Sequence, residues 1–236
     1  MVIFRRLVWV ALCAGLLSGV FAAAAHQIGT VPVILQAEVY EKAAEHSPAQ
    51  AHEHPIATTH EHAVAWEPAN GVERTAYTLL ADLLTGVGFA LLLAAGLTLR
   101  GGEVTWRDGL FWGLAGFAAI TLAPGLGLPP ELPGTAAAPL LDRQLWWLAT
   151  AVATGSGVAL LAFTRRARWA ILGAILIVLP HLYGAPQLAE PPASATPEVL
   201  SHRFVVAVTV VSFLFWLILG ASTGYFYRRF DASARA

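Results

Sequence analysis

The chain has 236 residues, 57% hydrophobic and only 12% charged, where a soluble domain carries about 25% charged residues. So few charges exclude a soluble globular enzyme and a disordered chain alike, and a net charge of −1 excludes a basic nucleic-acid binder. One cysteine, Cys13, excludes a disulfide framework and a thiolate-built metal centre, which leaves an all-α, polytopic membrane protein.

A bilayer core of about 30 Å needs about 20 helical residues. Six apolar runs meet or approach that length, at 7–25, 77–99, 109–124, 144–163, 169–183 and 204–227. The third and fifth are short and end at prolines, so flanking residues or a thinned bilayer must help them span. With the N-terminus cytoplasmic, the inner segments hold ten of the fourteen Lys and Arg residues, among them Arg5, Arg6, Arg100, Arg107, Arg165, Arg166 and Arg168. The outer segments hold Lys42, Arg74, Arg143 and Arg203. That bias predicts six spans with both ends inside. Trp106, Trp112, Trp146, Trp147, Trp169, Tyr225 and Tyr227 are expected to form an interfacial belt.

The first run, 1–25, also reads as a signal peptide ending at Ala23-Ala24-Ala25, whose cleavage would leave five spans; merging of the short spans is another route to five. Its length of about 19 apolar residues and its Gly15-x-x-x-Gly19 packing motif favour a retained helix. Spans two and four share a pattern: Thr85-Gly86-Val87-Gly88-Phe89-Ala90-Leu91-Leu92 and Thr154-Gly155-Ser156-Gly157-Val158-Ala159-Leu160-Leu161. Both lead to arginine, and the span after each ends in a proline–glycine cluster. This predicts two copies of a helical hairpin, 76–134 and 143–187, related by an axis along the membrane normal, as in parallel-repeat transporters. The competing reading is chance, since Gly, Ala and Leu are common in membranes. A last span at 203–227 and a basic tail at 228–236 complete the organisation.

Between the first two spans, residues 26–75 form a His/Glu-rich segment. It holds six of the eight histidines, His26, His46, His52, His54, His60 and His62, with His-Glu-His occurring twice five residues apart. In an extended chain alternate side chains share a face, so both imidazoles of each pair can reach one ion. Imidazole with carboxylate fits Co²⁺, Ni²⁺, Zn²⁺ or Cu²⁺. The plain alternative is a flexible polar linker whose histidines titrate near about pH 6.5. Glu38 and Glu41 add carboxylates close to the first span. Asp82 lies about a third of the way into span two. A charge there needs a partner or water, so it belongs either to a cation path or to a hydrated interface. His181, after Pro180, is either a ligand at the mouth or a helix-end histidine. There is no phosphate loop and no H-E-x-x-H, and no nucleophile–base spacing points to an enzyme.

Several stretches together resemble a known family. They are Phe4-Arg5-Arg6-Leu7, Gly15-Leu16-Leu17-Ser18-Gly19, Val31-Pro32-Val33-Ile34-Leu35-Gln36-Ala37-Glu38-Val39-Tyr40-Glu41 and Gly88-Phe89-Ala90-Leu91-Leu92-Leu93. Further along come Trp112-Gly113-Leu114-Ala115-Gly116-Phe117, Leu122-Ala123-Pro124-Gly125-Leu126-Gly127-Leu128-Pro129-Pro130-Glu131-Leu132-Pro133-Gly134, Arg143-Gln144-Leu145-Trp146-Trp147 and Pro180-His181-Leu182-Tyr183-Gly184-Ala185-Pro186. On these the chain resembles the CbtA family of probable cobalt transporter subunits. The resemblance implies a bacterial inner-membrane protein, cobalt uptake connected with cobalamin synthesis, and a small single-span, histidine-containing partner of the CbtB type. It implies Glu38, Glu41, Glu131 and His181 as candidate ligands. The doubled His-Glu-His lies outside the family pattern, and the family is commonly given five spans.

The resulting expectation is a membrane subunit that moves a divalent ion, Co²⁺ foremost, inward without a resident cofactor. His46, His52, His54, His60 and His62 would capture ions, and Glu38, Glu41, His181 and Asp82 would pass them on. A non-conducting metal sensor or scaffold, and a metal efflux protein, are the rivals.

Overall fold

The computed structural model describes residues 2–45, 68–189 and 196–235. Its elements are helices α1 (Val2–Gly29), α2 (Val31–Glu45), α3 (Val72–Arg100), α4 (Trp106–Gly116), a π-helical turn over Phe117–Leu122, α5 (Ala123–Gly127), α6 (Leu140–Phe163), α7 (Ala167–Tyr183) and α8 (Glu198–Arg235). Among the described residues there is no strand, and the chain is an all-α membrane helix bundle. Among the described residues five stretches are long and apolar enough to cross a bilayer: 3–29, 72–100, 106–127, 140–163 and 198–231. The sixth expected span is α7, whose 17 residues rise only about 25 Å.

Helix ends follow local chemistry. Gly101, at φ 70°, closes α3 by donating its N–H to the carbonyls of Leu97 and Thr98, a positive-φ position that suits glycine. Thr105 and Asp108 form a reciprocal capping box at the start of α4, and Arg100 donates to Asp108 at 2.8 Å. Within the third span Pro124 has no N–H to offer the carbonyl of Ile120. The helix widens ahead of it, and the Ala123 N–H bonds the Ala118 carbonyl five residues back. The π turn and the proline form one feature.

Small residues set the packing, because lipid removes the hydrophobic drive between helices and leaves close contact to do the work. A Cβ on Gly15 or Gly86 would strike the facing backbone where α1 crosses α3, and one on Gly19 would strike Asp82 and Leu83. Gly109 and Gly113 of α4 meet Gly220 and Gly224 of α8 in the same way, and Gly157 of α6 meets Gly173 of α7. The principal pairings are thus α1 with α3, α1 and α4 with α8, and α6 with α7. Ala11, Ala14, Ala22, Ala90, Leu93, Phe117, Phe215, Trp216 and Leu219 form the central core. At one end Ala37, Leu132, Leu200 and Phe204 make a separate cluster under α2. At the other, Arg6 of α1 pairs with Asp231 and donates to the Tyr227 hydroxyl at 2.9 Å on α8.

The structure differs from the sequence reading in two places. Residues 31–45 form a helix, and α1 runs four residues beyond Ala25, because α2 has an apolar face, Val33, Ile34 and Ala37, to lay against α8 and the Leu132 loop. The aromatic belt also divides. Trp106, Trp147, Trp169 and Tyr225 are exposed, whereas Trp146 and Tyr227 are buried and Trp112 packs over Gly96 and against Phe163.

Candidate functional site

Asp82 sits where α3 is drawn hardest against α1, since Gly19 abuts its backbone. His26 lies seven residues beyond Gly19, two turns along the same face of α1. Helical side chains tilt toward their own N-terminus. In antiparallel α1 and α3 that tilt carries His26 down and Asp82 up, toward each other. His26 Nε2 and Asp82 Oδ1 stand 3.8 Å apart.

Thr30, one turn on, orients the imidazole. Its hydroxyl donates to the His26 carbonyl at 3.2 Å and lies 2.9 Å from Nδ1. With that proton committed, Nδ1–H is the donor to Thr30, and Nε2 faces Asp82 as a lone pair or as a second N–H. The second carboxylate oxygen, Oδ2, is buried without a hydrogen-bond partner. A carboxylate at bilayer depth demands compensation, and half of this one has none among the described side chains.

Two cavities meet at this pair. One, of about 330 Å³, lies toward α2 and is lined by His26, Thr30, Arg74, Thr78, Asp82 and Phe204 among others. The second, of about 160 Å³, runs the other way, past Thr85, Thr121, Ser212 and Trp216, and again includes His26 and Asp82. The π turn serves this second cavity, placing Thr121 where its hydroxyl receives the Trp216 indole N–H at 3.3 Å.

Of the described residues expected from the sequence to pass an ion on or to ligate it, the structure brings only Asp82 to these cavities. Glu38 accepts from Arg74 at 2.5 Å, so it holds the guanidinium at the rim of the larger cavity without lining it. Glu41 lies against Gly134. Glu131 pairs with Arg143 at 2.6 Å. His181 meets the edge of the Trp146 ring, 6.0 Å between centroids, while that indole donates to the Pro180 carbonyl at 3.3 Å. His46, His52, His54, His60 and His62 lie outside the described residues. No group of three or more His, Cys, Asp or Glu converges among the described residues.

His26 is the partner that sequence reasoning missed, having been counted with the outer histidines. The available signal was its two-turn spacing from Gly19 in the Gly15-x-x-x-Gly19 motif, which puts it on the α3-facing side once α1 is allowed to continue.

Comparison with known proteins decides the family. The model for the family described as "Probable cobalt transporter subunit (CbtA)" matches residues 4–228, nearly the whole chain. The chain belongs to the CbtA family. No curated protein and no solved structure matches it. The CbtA description makes transport of cobalt the expected activity, with the chain one component of a transporter, and it gives a His–Asp pair carried by two candidate spans a function to be weighed against.

Proposed function

We propose that this CbtA chain is the membrane subunit of a divalent transition-metal uptake system in a bacterial inner membrane, with cobalt as its cargo. The observation that carries the reading is the ionisable pair His26–Asp82, set between two cavities in a bundle whose family is described by cobalt transport. Ionisable groups inside membrane bundles are costly and mark ion pathways.

In this reading both termini are cytoplasmic, following the arginine bias, and the segment 46–62 faces outward. His46, His52, His54, His60 and His62 capture ions there. Glu38 and Glu41 on α2 extend the acidic surface toward the bundle, His181 stands at the outer end of α7, and Asp82 receives the ion at depth. A small single-span, histidine-bearing CbtB-type subunit assembles with the bundle in the lipid bilayer. Imidazole and carboxylate donors suit borderline divalent ions.

The test is cellular cobalt. Cells lacking the protein should accumulate less cobalt from limiting medium, measured by elemental mass spectrometry, and the intact gene should restore it. A rise in cellular cobalt on deletion would mean efflux instead. Unchanged cobalt, nickel, zinc and copper would favour a sensor or scaffold.

A further inference from the structure

We infer that His26 and Asp82 jointly bind a divalent transition-metal ion in transit, at the constriction between the two cavities. The inference rests on the uptake reading above and names its site.

The geometry fits an ion between the two groups. Two donors about 2.0–2.2 Å from one tetrahedral ion stand roughly 3.3–3.6 Å apart, and Nε2 and Oδ1, at 3.8 Å, need close by only a few tenths of an ångström to share one. The pair is thus too long for a good hydrogen bond and near the spacing of two donors to a shared cation. Thr30 directs the other ring nitrogen away, the arrangement that fixes a ligating histidine's tautomer. Asp82 Oδ2, buried and without a hydrogen-bond partner, supplies a further lone pair. Thr78 and Thr85 line the cavities on either side.

The donor set also limits the cargo. Imidazole selects against Mg²⁺ and Ca²⁺, and among the described residues neither cavity is lined by a thiolate or thioether, which disfavours Cu⁺. Co²⁺, Ni²⁺ and Zn²⁺ remain. Among the described residues two strong ligands converge, a set that holds an ion weakly enough to leave, as a pathway site requires. At the rim, Glu38 engages Arg74 and offsets the guanidinium of that arginine, which lines the larger of the two cavities.

The experiment uses the full chain with His46, His52, His54, His60 and His62 all replaced by alanine, so that signal from the outer histidines is removed. Purified in detergent, it should bind Co²⁺, with a visible d–d band and a hyperfine-shifted imidazole proton. H26Q and D82N, both close in size to the native residues, should each weaken Co²⁺ binding by about tenfold or more and remove vesicle uptake. H26Q should also abolish the shifted imidazole signal, and H202A should leave it intact. If the parent binds no Co²⁺, or if folded H26Q and D82N bind and transport as the parent does, the site is wrong. If the unsubstituted chain moves no cobalt into cells or vesicles while H26Q and D82N still lose binding, the site stands and the uptake reading falls.

Discussion

Gly19 fixes the distance between α1 and α3 at the level of Asp82, and through that distance it controls whether His26 can face the carboxylate. A side chain at Gly19 would need the space now filled by the Asp82 carbonyl and the Leu83 backbone, and backbone cannot move aside as a flexible side chain can. G19V is therefore expected to part the helices, at a cost of roughly 1–3 kcal/mol or more, and to lower both the thermal midpoint in detergent and cobalt uptake. G88V is the control: nothing lies within 4 Å of a Cβ there, so its midpoint should match the parent. Both glycines lie in similar apolar sequence, and only the neighbouring helix distinguishes them. Asp82 was readable as an anomaly because a carboxylate in an apolar run is conspicuous. His26 was not, because it adjoins a histidine-rich stretch and its role depends on how far α1 continues.

The third span is one helix in the sequence pattern and three segments in space. Pro124 removes one N–H, the π turn over Phe117–Leu122 absorbs the mismatch, and Thr121 is thereby turned toward Trp216 and the smaller cavity. P124A restores the missing donor and lets Phe117–Leu122 relax to α-helical bonding. The expected outcome is a thermal midpoint equal to or above the parent's, together with uptake lowered several-fold, since a residue removed from strained functional geometry can stabilise while it costs activity. Parallel thermal-unfolding and vesicle-uptake assays read the two effects separately. Helix pairing also lay beyond the sequence pattern. The matched glycines of α3 and α6 are used at different positions, Gly86 against α1 and Gly157 against α7. The partners of α4 are Gly220 and Gly224, more than a hundred residues away. Helix existence was legible from apolar length. Which small residue would face which helix was not, because that choice depends on the register between elements.

At the scale of the whole molecule, the five long apolar helices and the shorter α7 among the described residues bring the chain back to its starting end. Arg6 near the start of α1 pairs with Asp231 near the end of α8, its guanidinium lies 4.4 Å above the Tyr227 ring, and Tyr227 reaches the Thr98 hydroxyl at 3.1 Å. α1 is integral to this arrangement, since Val10, Ala11 and Ala14 are all buried and its loss would uncover faces of both α3 and α8. With the arginine-rich end cytoplasmic, a green fluorescent protein fused after residue 236 should fluoresce and alkaline phosphatase fused there should be inactive. The reverse pattern would invert the bundle. α7 buries only Gly173 and leaves apolar residues such as Ile171, Ile175 and Leu182 exposed, as a lipid-facing helix does.

Apolar run length, scarce charge and the arginine distribution were enough for the sequence alone to determine a helical membrane bundle, its approximate spans and an expected orientation, while particular stretches such as 122–134 and 180–186 carried the family resemblance. These are additive properties of residues in contact with lipid and can be read one segment at a time. The α2 helix, the glycine contacts between α4 and α8, the burial of Trp146 and Tyr227, and the meeting of His26 with Asp82 were decided only in the tertiary structure. Each depends on the register and rotation of one helix against another. A single chain encodes those through many small contacts at once, and no local pattern in it carries them separately.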